Sequence, residues 1–414
     1  MNLFTRFIYC ALLLLSTTLW ASQDRKVMVV GIDGVRSDAL QQANTPTIDN
    51  LIANGLYSYD AWHMGITVSA PSWSSIMCGV WEAKHGVTSN AYTGSNYNQY
   101  PYFTTRAKEL LPDLYCVQVT EWAPMSNNVF NDGWNEKIIV PDGATTPTTA
   151  AAIQALQNDN LDCLFVYYDA CDLAGHASGF SPLNPVYMNA LQNVDASFAN
   201  VLEALYNRPN YANENWLILL ITDHGGIGTG HGGGTDEERH IWWIASGTSV
   251  PQMQITAPDP GSYQYNGIPY FVSPVNPDIL ATTPVQTDIG VTALHHLIYE
   301  TGTNPQNVPT WNLDGKSWLS TFTSDNNNNL TPQINTVKVY PNPSQNLFTV
   351  WFPNQQNLPA SYILYNQQGQ ICEVPVEWYS ANKITFNTQA LSSGIYYLVI
   401  KVGMAKYTQR VVIQ

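Results

Sequence analysis

Lys26–Ile32 (KVMVVGI) is an apolar, β-branched run that stops abruptly at Asp33-Gly34, the pattern of a buried parallel strand feeding a loop. Similar runs recur at Leu114–Thr120, Leu161–Tyr168, Trp216–Thr222 and Ile241–Ala245. Helical periodicity lies between them, as in Tyr187–Leu205 and Asp288–Tyr299. This alternation predicts a doubly wound, mostly parallel α/β sheet. Ligands of such sheets collect outside the carboxyl ends of the strands, which puts Asp33, Asp169, Asp172, Asp223 and His224 where chemistry is expected.

A chain of 414 residues is too long for one ordinary core. Residues 321–334 (TFTSDNNNNLTPQI) are Asn-rich and cannot bury a core, so they are read as a linker. Beyond them, VKVYPNPSQNLFTVWF, ASYILYN, ITFNT, GIYYLVIKVG and KYTQRVVIQ are short alternating strands, which predict a small all-β sandwich over 335–414. At the other end, Arg6, the apolar run Phe7–Leu15 and small residues up to Ala21 have the order of a secretory signal peptide over 1–21. The catalytic domain is then expected over 22–320. No later run offers about 20 continuous apolar residues, so no transmembrane segment and a soluble mature protein are expected.

The chain is 45% hydrophobic and only 11% charged, a balance that favours an ordered fold. Its net charge of −15 argues against binding nucleic-acid polymers, whose backbones it would repel. A small anionic substrate remains compatible, because bound cations invert the local potential. After signal removal the cysteines are Cys78, Cys116, Cys163, Cys171 and Cys372, an odd set with no paired spacing that indicates no disulfide framework.

Taken singly, each polar landmark has an ordinary structural reading. Asp33-Gly34 after a strand is commonly a turn. Ser69, before Pro71 and an apolar helical run, is commonly an N-cap, although a hydroxyl there also sits near a helix end that favours anions. Asp172 and His176 in DLAGH lie four apart, so one helical turn can bring both onto one metal. Asp223-His224 follows another apolar strand directly, and His231 lies in the glycine-rich TGHGGGT. Two Asp/His sets on successive strand ends are harder to dismiss than either alone.

The ordered set D-G, S-x-P, D-x-x-G-H, D-H-G and a following H-G resembles the alkaline phosphatase superfamily, and within it the nucleotide pyrophosphatase and type I phosphodiesterase branch, from about Lys26 to Gly302. The resemblance implies two zinc ions. Asp33, Asp223 and His224 would hold one, which also touches Ser69, and Asp172, His176 and His231 would hold the other. It further implies that Ser69 is the nucleophile of a covalent phosphoryl-enzyme and that the Asn90 amide donates to a phosphoryl oxygen. VYPNPSQNLFTV and LSSGIYYLVIKVG resemble the C-terminal sorting domain of type IX secretion cargo, which implies that secretion machinery as a partner and a secreted or cell-surface location beyond the outer membrane. The bland reading of that tail is a spacer or carbohydrate-binding module.

Where monoesterases of this superfamily carry a lysine and an arginine, this chain has Glu121 and Trp122, which tilts the expectation toward diesters over alkaline-phosphatase-type monoesters. Trp122 could stack on a base. A sulfatase is the enzymatic alternative, because SAPS begins the formylglycine motif, but Trp73 stands where its arginine belongs. A non-catalytic surface protein on the same fold is the other alternative; it would be favoured by a missing ligand, and all six ligands are present. His231 lies nearer His224 than the third histidine of nucleotide pyrophosphatases does, leaving His240 as its substitute. His63, His85, His240, His295 and His296 are read as structural. The leaving group would be selected by cap loops such as Tyr97–Phe103 and Pro258–Asp278, and the oligomeric state has no sequence signal.

Overall fold

The computed structural model describes residues 24–128, 131–248, 250–263, 274–319, 338–351, 360–366, 370–380, 383–402 and 405–414. The expected signal segment, the Asn-rich linker and the middle of the loop Pro258–Asp278 lie outside the described residues.

The apolar runs form one sheet. Its strands are β1 (Asp24–Ile32), β2 (Leu56–Trp62), β3 (Tyr115–Thr120), β4 (Glu136–Ile139), β5 (Leu161–Tyr168), β6 (Glu214–Ile221), β7 (His240–Ser246) and β8 (Met253–Gln254), in the order β4-β3-β5-β1-β6-β7-β2-β8. Pairing is parallel from β4 through to β6 and between β2 and β8. Only β7 runs against its neighbours β6 and β2. The expected doubly wound, mostly parallel fold is therefore the one observed. β2 and β4 escaped the periodicity reading because β2 (LYSYDAW) is broken by polar residues and a bulge, and β4 is a short half-exposed edge.

β1 shows why its sequence is apolar throughout. Val27 and Val29 enter a core on one face, with the helices Ser69–Cys78 and Asp288–Ile298, while Met28, Val30 and Ile32 enter a second core on the other, with Pro185–Tyr206. A strand covered on both faces has no solvent side to alternate toward. Gly31 is required by packing: a Cβ there would lie 2.3 Å from Cη2 of Trp73.

The C-terminal residues form two four-stranded sheets. One orders Val376–Ser380, Lys383–Asn387, Leu347–Trp351 and Lys338–Tyr340; the other orders Ile371–Cys372, Ala360–Asn366, Gly394–Val402 and Ala405–Ile413. Phe348, Ile384, Phe386, Leu398 and Val411 share their core, as the alternating pattern predicts. Among the described residues no helix is long and apolar enough to cross a membrane.

Candidate metal centre and active site

The strand ends deliver the acidic residues to one place. Asp33 follows β1, the pair Asp223-His224 follows β6, and Asp172 and His176 lie in the helix Ala170–Ser178 that follows β5. Adjacent parallel strands in the order β5-β1-β6 make these three ends neighbours. Ligand atoms of Asp33, Asp223 and His224 lie within 4.8 Å of one another, and so do those of Asp172, His224 and His231.

The three imidazoles are held in the same way. Nδ1 of His224 donates to the Gly225 carbonyl at 2.8 Å, Nδ1 of His231 to Thr67 at 2.8 Å, and Nδ1 of His176 to Thr229 at 2.9 Å. A carbonyl can only accept, so each Nδ1 carries a proton, and Nε2 is the nitrogen left to face the carboxylates or a cation. Those Nε2 atoms face the carboxylates: His224 lies 3.2 Å from Asp223 and 3.6 Å from Asp33, His176 lies 3.3 Å from Asp172, and His231 lies 3.6 Å from Asp172. His176 and His231 also meet through their Nε2 atoms at 3.1 Å.

Oδ1 of Asp33, Oδ1 of Asp172, Oδ2 of Asp223 and Nε2 of His224 are buried with no hydrogen-bond partner. Unpaired buried acceptors of this kind are costly. Their charges also work against one another: burial, then the negative charges of Asp33 and Asp172, push the Asp223 carboxyl well above its usual range. The His176 imidazole is raised to about 9, mainly by its hydrogen bond to Asp172, while burial and then His224 lower His231 to about 3. Clustered carboxylate oxygens and imidazole Nε2 atoms, several of them unpaired, suit divalent cations of the zinc type, so the residues fit the implied group.

The remaining carboxylate oxygen of Asp33 is fixed by two donors, Trp73 Nε1 at 2.9 Å and the Tyr167 hydroxyl at 2.6 Å. Gly34 N–H holds Oδ1 of Asp223 at 3.1 Å. Ser69 is the first residue of a wholly buried helix, Ser69–Cys78. Two residues before it Thr67 holds His231, and four residues after it Trp73 holds Asp33, so its segment of chain touches both sets. Asn90 Oδ1 accepts from the Ala70 N–H at 2.9 Å, which leaves its exposed amide N–H groups for another acceptor.

Asp169 does not join the ligands. It lies beside Glu121, accepts from Gly143 N–H at 2.6 Å, and is pushed up to about 9 by burial and then by Glu121. His240 is turned away, stacked on Trp62 with centroids 4.7 Å apart and 3.3 Å from Asp60, whereas His231 stands among the ligands. His63 binds Ser72, His85 binds Ser75, His295 binds Ser317 and His296 binds the Asn215 carbonyl. Sequence reasoning missed the supports Thr67, Trp73, Tyr167 and Phe180. Phe180 packs edge-on to His176 and His231, with centroids 5.3 Å and 6.0 Å away. No spacing distinguishes such residues from ordinary core.

This arrangement of fold and ligands defines a member of the alkaline phosphatase superfamily. A putative sulfatase of Bacteroides thetaiotaomicron shares the fold, with a TM-score of 0.54 at 13% identity over 94% of this chain and 83% of that one. Residues 27–122 and 117–231 match the family model for type I phosphodiesterase / nucleotide pyrophosphatase, and residues 338–414 match that of the secretion system C-terminal sorting domain. Through the first of these matches the chain belongs to the type I phosphodiesterase / nucleotide pyrophosphatase family, and its tail is a type IX sorting domain. An uncharacterized pyrophosphatase/phosphodiesterase of Schizosaccharomyces pombe is 24% identical over 237 residues, 52% of this chain and 46% of that protein. Ectonucleotide pyrophosphatase/phosphodiesterase family member 3 of Rattus norvegicus is 25% identical over 218 residues, 48% of this chain and 24% of its own length. The matched part thus spans less than half the length of either relative.

Proposed function

We propose that this protein is an exported phosphodiester hydrolase of the nucleotide pyrophosphatase type, with Ser69 as nucleophile and two divalent ions, zinc by donor chemistry, as cofactors. The reading is carried by the convergence of three imidazole Nε2 atoms and three unpaired buried carboxylate oxygens at the strand ends. Asp33, Asp223 and His224 would hold one ion, and Asp172, His176 and His231 the other. When bound, the ions supply positive charge to the phosphoryl and leaving oxygens and lower the pKa of the nucleophile's hydroxyl.

Ser69 Oγ attacks phosphorus in line, forming the Oγ–P bond as the bond to the leaving oxygen breaks. Water then cleaves the phosphoseryl link and restores Ser69. Asn90, oriented through the Ala70 N–H, donates its amide to a non-bridging oxygen. Glu121 supports diesters over monoesters: it is fully buried and accepts from the Asp169 N–H at 2.9 Å, so no cation stands there to meet a dianion. Trp122 lies beside Tyr92, with centroids 6.1 Å apart, an aromatic pair able to pack against a base. Export would use the N-terminal segment 1–21 as signal peptide and the C-terminal domain for passage across the outer membrane.

The test is elemental analysis of the purified protein together with hydrolysis of bis-p-nitrophenyl phosphate, p-nitrophenyl phosphate and p-nitrophenyl sulfate by wild type and Ser69→Ala. Two zinc ions per chain, with fastest cleavage of the diester and loss of it in Ser69→Ala, is the expected result. A metal-free, inactive wild type would overturn the reading, and preferred sulfate ester cleavage would replace it with a sulfatase.

A further inference from the structure

His231 comes from a segment that packing alone would not hold. Gly225–Thr235 (GGIGTGHGGGT) carries seven glycines and one large apolar side chain, Ile227, which is exposed. Such a loop has much backbone entropy to lose and little buried area to offset it. Beyond the rings of Phe180 and His224 that pack on His231, its order comes from hydrogen bonds.

Thr67 makes three of them to consecutive residues. Its carbonyl accepts from His231 Nδ1 at 2.8 Å, its hydroxyl accepts from Gly232 N–H at 3.1 Å, and the same hydroxyl donates to the Gly233 carbonyl at 2.8 Å. Gly232 adopts φ +106, which a side chain would strain. On the far side, Glu238 closes the loop: Gly233 N–H and Thr235 N–H donate to its carboxylate at 2.6 Å and 3.0 Å, and its carbonyl takes the Gly225 N–H at 2.9 Å. Thr67 and Glu238 are both buried, so these bonds are shielded from water. Thr67 lies two residues before Ser69 and therefore couples the loop to the segment that starts the nucleophile's helix.

We propose that Thr67 is a positioning residue that fixes His231 against the start of the Ser69 helix and thereby sets the affinity of the ion held by Asp172, His176 and His231. The inference rests on the two-ion reading above. The hydroxyl matters because it both donates and accepts: valine keeps the shape and loses both bonds, while serine keeps both. Loss of the latch frees Gly232 and Gly233, and the imidazole then spends less time with Nε2 facing Asp172. Partners that orient a ligand are typically worth about 10–100-fold in metal affinity. The set Asp33, Asp223 and His224 is not held by Thr67 and should bind as before.

The experiment is zinc titration of the metal-free full chain by calorimetry and by competition with a chromophoric chelator, for wild type, Thr67→Val and Thr67→Ser, with circular dichroism as a check on folding. Weakening of one of the two ions by about 10–100-fold in Thr67→Val, with wild-type binding restored in Thr67→Ser, is expected. Two ions at wild-type affinity in Thr67→Val, or equal weakening of both, would overturn the inference. Should the valine variant not fold, Thr67→Ala, which also removes the hydroxyl without adding bulk, is measured under the same criteria. A wild type that binds fewer than two ions instead defeats the two-ion reading on which the inference stands.

Discussion

The indole N–H of Trp73 donates to Oδ2 of Asp33 at 2.9 Å, joining the helix begun by Ser69 to the end of β1. Together with the Tyr167 hydroxyl it occupies one carboxylate oxygen and leaves the other, Oδ1, unpaired and 3.6 Å from His224 Nε2. Trp73 stands where a formylglycine motif would carry arginine, so the departure from the sulfatase pattern is here a support for a candidate ligand.

Trp73→Phe should lose the donor, together with the distal indole carbons that pack on Gly31. Metal affinity is expected to fall by about 10–100-fold. Chelator competition measures it, and an unchanged affinity would show that the indole serves packing alone.

Asn90→Asp should retain the acceptor for the Ala70 N–H while removing the amide donor. The expected outcome is a kcat for the diester reduced by about 100–1,000-fold with metal content unchanged. Steady-state kinetics beside elemental analysis separates this from loss of an ion.

Asp223→Asn should stabilise the metal-free protein while weakening its response to zinc. Asp223 is fully buried and its carboxyl is pushed up by burial and by Asp33 and Asp172, so its charge destabilises the empty fold. A neutral amide relieves that by about 1–3 kcal/mol. Thermal unfolding with and without chelator reads both effects; a variant less stable than metal-free wild type would contradict the argument.

His296 is lowered to about 4, chiefly by burial, although its bond to the Asn215 carbonyl opposes the shift. In the unfolded chain it titrates near pH 6.5. Between those values the unfolded state binds the extra proton, so this contribution is complete above about pH 6.5 and is lost as pH falls toward 4. The loss is roughly 2 kcal/mol at pH 5. Urea melts at pH 7 and pH 5 should show a smaller difference for His296→Gln than for wild type. His85, lowered to about 3 by burial, acts with the same sign and leaves part of the slope in place.

The strands legible in advance were those with unbroken apolar runs, because β1, β5 and β6 are covered on both faces and admit no polar alternation. β2 and β4 were not legible, since a bulged strand and a half-exposed edge carry no clean period. The candidate ligands are strand-end and motif positions, and the structure brings Asp33, Asp172, His176, Asp223, His224 and His231 together. The sequence favours His231, in the glycine-rich loop, over His240, and the structure stacks His240 on Trp62 instead.

Sequence alone determined the class of fold, the sorting domain, the donor chemistry and the order of the motifs, since these depend on local periodicity and on which side chains can bind a cation. Tertiary structure decided which atoms face one another. The tautomers of the three histidines are set by carbonyls of Gly225, Thr67 and Thr229, and the hold on Asp33 comes from residues 40 and 134 positions away. Contacts across such separations arise only when the sheet order β5-β1-β6 makes distant strand ends adjacent, and no periodicity along the chain encodes that adjacency.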